Sequence, residues 1–283
     1  MRVYNYYIRF LVFCTRTRKE NGTAMIIKTI PRIAPGSILR QTALTAISDA
    51  AFMTNEYLIR EYADGILSGC GLETTEDAII VKEGTVFLDK EIFLIKKPLT
   101  INYSPTNTTV VLKMCFSNAI SDDNCIYRDM DLEITRETTC EPGQIELCRF
   151  KLQEGAKLRC EYQDFADRST EFDTMNRVHA PYAAYGGSTL SPEITRAFAQ
   201  ELMDTSSSIS DFDAAFCLQI LGSGNPIAPG AMINYIAHIN GEKPRDTTNM
   251  GLFQELVSIL EHQKGLGISS GAEKRKKWKM MME

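Results

Sequence analysis

The feature that most constrains how this chain folds is a change in the spacing of its apolar residues. Between residues 78 and 162 apolar side chains recur at every second position, and between residues 191 and 263 they recur at every third or fourth. A spacing of two is typical of half-buried strands, and a spacing of about 3.6 is typical of amphipathic helices. The sequence therefore predicts an α+β protein in which a β-rich module precedes a helical one.

Composition and patterning divide the chain of 283 residues into six predicted segments. These are a mistaken start or flexible extension (1–24), a helical lead-in (25–64), an antiparallel β-sandwich or barrel-like module (65–165), a linker (166–190), a small four-helix bundle (191–264) and a disordered basic tail (265–283). Residues 4–14 are apolar but too short to cross a bilayer, which requires roughly 20 residues. We favour Met25 as the natural start, over a flexible extension or a membrane-directed segment.

Alternation within the β module predicts its strands and their exposure. Apolar and polar residues alternate over 130–135 and 158–162, and apolar residues occupy every second position of 110–116. This alternation predicts that each strand has one solvent-exposed face. Such strands favour antiparallel pairing over a parallel sheet that is buried on both sides. The alternation slips near Cys148, which predicts a β-bulge.

A tight hairpin is predicted around Gly84. Residues 82–84 separate the apolar runs 79–81 and 85–88. Glycine tolerates the positive φ that a tight hairpin requires, so we expect the two runs to pair with each other.

Helix signals occur in the lead-in and in the predicted bundle. In the lead-in, five apolar residues at near-helical spacing predict one or two helices that end by Gly65. These residues are Leu44, Ile47, Ala51, Leu58 and Tyr62. Their apolar face packs either on the chain's own module, which we favour, or on a neighbouring subunit.

In the bundle, capping signals mark four helix starts. The starts are Ser191 with Pro192, Ser210 with Asp213, Pro229 and Thr248.

Charge is distributed unevenly along the chain. The formal net charge is −5, yet both ends are basic, so the middle of the chain is strongly acidic. An acidic body repels phosphate backbones, which disfavours nucleic-acid binding except through the basic tail.

The eight cysteines form no CxxC pair, which argues against a zinc ribbon. We predict reduced thiols, with Cys115 and Cys160 as small core residues.

The sequence contains no recognisable catalytic, cofactor-binding or metal-ligating constellation. The Gly-rich residues 222–226 lack the Lys-Ser or Lys-Thr pair of a phosphate-binding loop and predict an interhelical turn. His179, His238 and His262 have no carboxylates at ligand spacing. Residues 122–124, Asp-Asp-Asn, are predicted to form a solvated turn rather than a cation loop. We therefore predict no enzyme activity, no cofactor and no metal site.

Two tyrosines and a basic cluster are the candidate partner contacts. Tyr182 and Tyr185 lie in the predicted linker, which either connects the modules loosely or lies along a partner surface. Lys276, Lys277 and Trp278 lie in the predicted tail. A basic cluster beside one Trp is suited to nucleic acid or to an acidic surface.

Two stretches resemble a known class of proteins. Residues 62–70 (YADGILSGC), followed by short alternating strands and the turn at Gly84, resemble small β modules in tail and baseplate proteins of phages and phage-derived particles. Residues 180–194 (APYAAYGGSTLSPEI) are similar to prophage-like proteins of Gram-positive gut anaerobes. Both motifs are short, and the likeness extends over about residues 36–190.

This resemblance implies a structural assembly or adaptor component of a phage tail, baseplate or phage-like injection particle. The implied partners are other tail or baseplate subunits and further copies of the chain, with no membrane contact. The implied location is the cytoplasm during assembly and then the virion or phage-like particle. The helical C-terminal module departs from a receptor-binding fibre tip and favours an internal adaptor; no catalytic residue is carried over. The alternatives are an intracellular protein-binding regulator whose basic tail contacts nucleic acid, and a hydrolase.

Overall fold

The computed structural model describes residues 13–14, 27–28, 38, 40–122, 125–205 and 209–280, with side chains for 38, 40–122, 125–205 and 209–265. The chain divides into two compact units. One comprises Met1–Glu61 with Lys90–Ile92, and the other comprises Tyr62–Asp89 with Phe93–Glu283. The six predicted segment boundaries remain predictions, and the predicted extension 1–24 lies outside the described residues except for 13–14.

Among the described residues two short strands come first, then two short helices, then the remaining strands and four longer helices. The helices are α1 (Gln41–Ala51), α2 (Met53–Leu58), α3 (Pro192–Thr205), α4 (Asp211–Gly222), α5 (Pro229–Asn240) and α6 (Asn249–Met280). The strands are β1 (Phe13–Cys14), β2 (Ile27–Lys28), β3 (Gly65–Gly69), β4 (Leu72–Thr74), β5 (Ala78–Val81), β6 (Gly84–Leu88), β7 (Glu91–Ile95), β8 (Leu99–Asn102), β9 (Val110–Phe116), β10 (Ile120–Ser121), β11 (Ile126–Tyr127), β12 (Met130–Thr135), β13 (Gln144–Phe150), β14 (Tyr182–Ala184) and β15 (Gly187–Thr189). This order confirms the predicted α+β class.

The strands form open sheets, and none of the sheets within the described residues closes into a barrel. The larger sheets have the orders β15-β14-β3-β6-β7, β12-β9-β13 and β4-β5-β8, and two-stranded ribbons join β1 to β2 and β10 to β11. Antiparallel pairing predominates, as predicted. The exception is β14, which runs parallel to β3 through Tyr182 and Ile66.

The predicted hairpin around Gly84 is wrong. Strand β5 pairs with β4 and β8, whereas β6 pairs with β3, so the two runs lie in different sheets. Gly84 is required for a close approach, because a Cβ atom added there would lie 2.5 Å from the backbone nitrogen of Cys70. Alternation shows which residues of a strand share a face but does not identify the strand's partner.

Strand β9 has no solvent-exposed face, contrary to the prediction. Its first five residues are buried, including Lys113. The Lys113 Nζ donates hydrogen bonds to the Thr139 carbonyl oxygen at 2.5 Å and to Gln144 Oε1 at 3.2 Å. The strand lies between β12 and β13, where both faces are covered. The edge strand β12 alternates as predicted, and a register shift between Glu146 and Cys148 confirms the bulge.

Residues 158–162 do not form a strand, contrary to the prediction. Arg159 makes an isolated bridge with Thr174, and the Tyr162 hydroxyl donates to the Met175 carbonyl oxygen at 2.7 Å. The segment therefore makes an isolated backbone bridge and a side-chain hydrogen bond in place of the hydrogen-bond ladder of a strand. Within the segment predicted as a linker, β14 and β15 extend the five-stranded sheet.

Two apolar cores form in the second unit, one among the strands and one among the helices. The first includes Ile79, Val81, Leu112, Cys148 and Phe150. The second includes Phe165, Phe198, Tyr235, Leu252 and Phe253. Of the cysteines predicted in the core, Cys160 packs partly buried against the first cluster, and Cys115 is half-buried.

The predicted capping signals are confirmed in the bundle. Each cap hydroxyl accepts a hydrogen bond from a backbone nitrogen in the first turn of its helix. The pairs are Ser191 with Ile194 at 3.2 Å, Ser210 with Asp213 at 3.1 Å and Thr248 with Gly251 at 3.2 Å. Helix α5 begins at Pro229 and is followed by Gly241 with a φ of 79°.

Helix α6 continues to Met280, through residues that the sequence predicted to be disordered. Among the described helices, none has both the length and the apolar character needed to cross a membrane.

Candidate functional site

The apolar residues of α1 and α2 face outward. Leu44 is 51% exposed, Phe52 60% and Leu58 77%, and within α1 only Ala46 is buried. Ile38, Ile47, Met53 and Tyr57 are exposed as well. These side chains are not buried by the described residues, and the predicted packing of this face on the chain's own module stays a prediction. Large exposed apolar surfaces mark contact sites in soluble proteins. We call these seven residues the lead-in face.

A second apolar surface lies on α4. Phe216, Cys217 and Ile220 are buried in the helical core, while Phe212, Leu218 and Leu221 are exposed. A helix that is apolar on all sides is normally buried on all sides. The exposed Phe212 ring is covered in part by His238, with the ring centroids 3.9 Å apart.

A third exposed surface is the β10–β11 ribbon. Ile120 pairs with Tyr127 and Ser121 with Ile126 in antiparallel register. All four side chains are exposed. The Tyr127 hydroxyl donates a hydrogen bond to Asp122 Oδ2 at 3.0 Å, which ties the ribbon to its turn. A two-stranded ribbon without a covering layer is marginally stable in water.

The predicted contact residues fall in different environments. Tyr182 is buried in β14, and its hydroxyl accepts a hydrogen bond from Arg177 Nη2 at 3.2 Å. Its ring is therefore part of the fold rather than of the surface, and burial raises its pKa. Tyr185 is 65% exposed beside a backbone bridge to Tyr62. Lys276, Lys277 and Trp278 lie in α6, beyond the side chains that the structure describes.

A charged cluster that the sequence did not reveal joins the segment predicted as a linker to the first turn of α3. Glu193, in the first turn of α3, accepts hydrogen bonds from Arg168 Nη1 at 3.0 Å and from Arg177 Nη1 at 2.6 Å. The Arg168 guanidinium lies 4.5 Å from the centre of the Tyr162 ring. Burial opposes the ionisation of Glu193, but the two guanidinium groups outweigh it and keep its pKa below the ordinary value.

This Arg168–Glu193–Arg177 cluster lines the small cleft formed with Tyr162, Ser191 and Ile194. Its hydrogen-bonding groups are mostly used within the cluster, although the Arg177 Nε is buried without a partner. The arrangement is suited to holding the first turn of α3 against Arg168 and Arg177. The three side chains are widely separated in sequence, so spacing gave no signal for them.

The remaining reactive groups are dispersed or blocked. Burial raises the pKa of the Cys70 thiol to about 11 and that of Cys148 to about 12, so both are protonated at neutral pH. Burial lowers the pKa of His179. Within the described residues, no group of three or more His, Cys, Asp or Glu side chains is arranged to hold a metal ion. Residues 222–226 connect α4 to α5, as predicted, and residues 123–124 lie outside the described part of the chain.

Comparisons with known proteins give no family assignment. No protein-family model and no curated protein matches the chain. Among solved structures, the crystal structure of TssK aligns with a TM-score of 0.37 and 10% identity, over 83% of this chain and 69% of that chain. A cryo-electron microscopy structure of the type VI secretion system TssK-TssF-TssG baseplate subcomplex aligns with a TM-score of 0.36 and 10% identity, over 82% of this chain and 98% of that chain. Both TM-scores are too low to indicate a common fold.

Proposed function

We propose that this protein is a structural assembly or adaptor component of a phage tail, baseplate or phage-like injection particle and acts through subunit contacts. The exposed lead-in face on α1 and α2 is the observation that carries the proposal. The sequence resemblance of residues 62–70 to tail and baseplate modules, and that of residues 180–194 to prophage-like proteins, supports the choice of particle.

Helix energetics explain why the lead-in face requires a partner. Helix α1 has 11 residues and α2 has six, and isolated helices of that length are marginal in water. Each square ångström of apolar surface removed from water contributes about 25 cal/mol. Leu44, Phe52 and Leu58 supply this contribution only when another surface covers them, and the proposed cover is a neighbouring subunit.

The proposed partners are other tail or baseplate subunits and further copies of the same chain. Assembly would begin in the cytoplasm and end in the particle. The internal Arg168–Glu193–Arg177 cluster supports an adaptor, because it fixes the start of α3 to the segment that follows the β module through charge-assisted hydrogen bonds. A component that links neighbours benefits from modules held at a fixed angle.

A second candidate function is an intracellular protein-binding regulator whose basic segment contacts nucleic acid. It is favoured by residues 274–279, which contain five Lys or Arg side chains and one Trp. Salt-sensitive binding to duplex DNA that disappears when residues 265–283 are removed would support this candidate.

Quantitative mass spectrometry of phage-like particles tests the leading proposal. Particles would be induced by DNA damage in the native host, sedimented and compared with the soluble fraction. We expect a fixed copy ratio of this chain to the tail-tube subunit across independent preparations. Absence of the chain from intact particles that contain the other tail proteins would contradict the proposal and favour the regulator.

A further inference from the structure

We infer that the β10–β11 ribbon, together with the adjoining strand β12, is a docking surface for the basic segment 274–279 of a second copy of this chain. The inference builds on the proposed function, since it names one subunit contact through which assembly would proceed. It requires three properties of the surface: exposed apolar side chains, negative charge and access from solution.

The ribbon presents apolar side chains on both of its faces. Successive strand residues point to opposite sides, so the Ile120–Tyr127 pair lies on one face and Ile126 on the other. Ile126 is 75% exposed and Ile120 is 60% exposed. Within the described residues, no strand beyond β10 and β11 joins this sheet. A partner that covers the ribbon therefore buries apolar surface and stabilises a marginal element.

The surroundings of the ribbon are acidic. Residues 117–141 contain seven Asp or Glu and two Arg side chains. Asp129 lies at the base of the ribbon and is exposed. Asp131 and Glu133 lie on the exposed face of the edge strand β12. A ligand for this surface must combine positive charge with apolar groups.

Residues 274–279 of the chain have that composition. The sequence KRKKWK supplies five cations and Trp278. Opposite charges on two surfaces steer their encounter and fix their register. Trp is among the residues most enriched at the centres of protein interfaces. Each copy has one acidic ribbon and one basic segment, so neighbouring copies engage head to tail. Heterologous contacts of this type close into rings when the rotation between subunits allows it.

Charge reversal on each side of the contact tests the inference. One full-length variant carries Asp131→Lys and Glu133→Lys, and another carries Lys276→Glu and Lys277→Glu. A matched control, Lys96→Glu with Lys97→Glu, makes the same charge change as the second variant at two exposed lysines elsewhere on the surface. Sedimentation equilibrium at low and high salt measures self-association, and thermal unfolding confirms that each variant is folded.

We expect wild-type association at low salt to weaken as salt rises, because screening acts on exposed charges. Each reversed variant should associate about tenfold more weakly than wild type, while the control should not. Mixing the two reversed variants should restore association, because the lysines introduced at positions 131 and 133 then meet the glutamates introduced at positions 276 and 277. The same recovery is expected when all four substitutions are combined in one chain.

Four results would overturn the inference, of which the first three concern self-association. These three are a wild-type chain that stays monomeric at low salt, association that is unchanged by reversal of residues 276 and 277, and reversed variants that do not recover on mixing. DNA binding by the basic segment without self-association would also overturn it. Particle mass spectrometry distinguishes these failures from failure of the proposed function, because it records incorporation whichever surface mediates it.

Discussion

The lead-in helices and the C-terminal helices share one sequence signal but bury their apolar residues differently. In α6, Leu252, Phe253 and Leu256 are at most 1% exposed. In α1, Leu44 and Ile47 are 51% and 40% exposed, although their spacing is just as helical. Helical periodicity shows that a helix has an apolar face, but it does not show which surface covers that face. In the bundle the cover is the chain itself, and in the lead-in we propose a neighbour.

The largest effect is expected at the centre of the bundle. Phe198 is fully buried, and its ring centroid lies 5.7 Å from that of Phe165 and 6.0 Å from that of Tyr235. Phe198→Ala should lower the free energy of unfolding by about 3–5 kcal/mol, because it removes apolar contacts and leaves a cavity. Urea denaturation measures the change. A loss below about 1 kcal/mol would show that the bundle is not packed more tightly than the lead-in helices.

A polar contact inside the same bundle should have a smaller effect. The Tyr235 hydroxyl donates a hydrogen bond to Asp213 Oδ1 at 2.8 Å, and Asp213 is 1% exposed. Tyr235→Phe leaves this carboxylate with one donor fewer, so we expect a loss of about 1–3 kcal/mol in the free energy of unfolding. Phe212→Leu, at a ring that is 42% exposed on α4, is the control. Equal losses in both variants would argue against a structural role for the buried pair.

A third prediction concerns the pH dependence of stability at the junction of the β module and the bundle. The hydrogen bond from Arg159 lowers the pKa of Asp167 to about 2. Because the folded-state pKa lies below the unfolded-state value, the contribution is present above about pH 4 and is lost as pH falls toward 2. Arg159 is partly exposed, so we expect about 1 kcal/mol. Asp167→Asn should flatten this part of the stability profile; an unchanged acid slope would contradict the assignment.

The smallest effect on stability is expected in the lead-in helices. Phe52 is 60% exposed, so Phe52→Ser should change the free energy of unfolding by less than about 0.5 kcal/mol. Phe52→Ser and Phe198→Ala each remove a phenylalanine ring, the first from an exposed site and the second from a buried one. The difference between their losses in the free energy of unfolding therefore tests whether the two helical regions differ in burial. A loss above about 2 kcal/mol at Phe52 would show that the chain itself covers this ring in solution.

The sequence predicted those parts of the fold that depend on neighbouring residues. Capping hydroxyls such as Ser210 and Thr248 act within one helical turn, so their roles were readable from spacing. The bulge near Cys148 was readable because one extra residue shifts the alternation. The apolar stripe of α6 follows the same local rule. These predictions required no knowledge of distant partners.

Features that depend on distant partners were not predicted. The Gly84 hairpin failed because close approach to Cys70, not turn geometry, selects the glycine. Tyr182 is a core residue because β14 pairs with β3, which is more than 100 positions earlier in the chain. Glu193 meets Arg168 and Arg177 only after α3 packs near the β module. Long-range pairing of this kind leaves no periodic signal in the sequence.

Incorporation into particles shows whether the lead-in face is a subunit contact. The test variant combines Leu44→Ser, Ile47→Ser and Phe52→Ser, and the control combines Thr42→Ser and Thr45→Ser at exposed positions of α1. Copy number per purified particle is measured by quantitative mass spectrometry, and the unfolding of each purified chain is measured in parallel. The account predicts that the test variant remains folded but is lost from particles, while the control is incorporated like wild type. Incorporation of the test variant at the wild-type copy number would contradict the account.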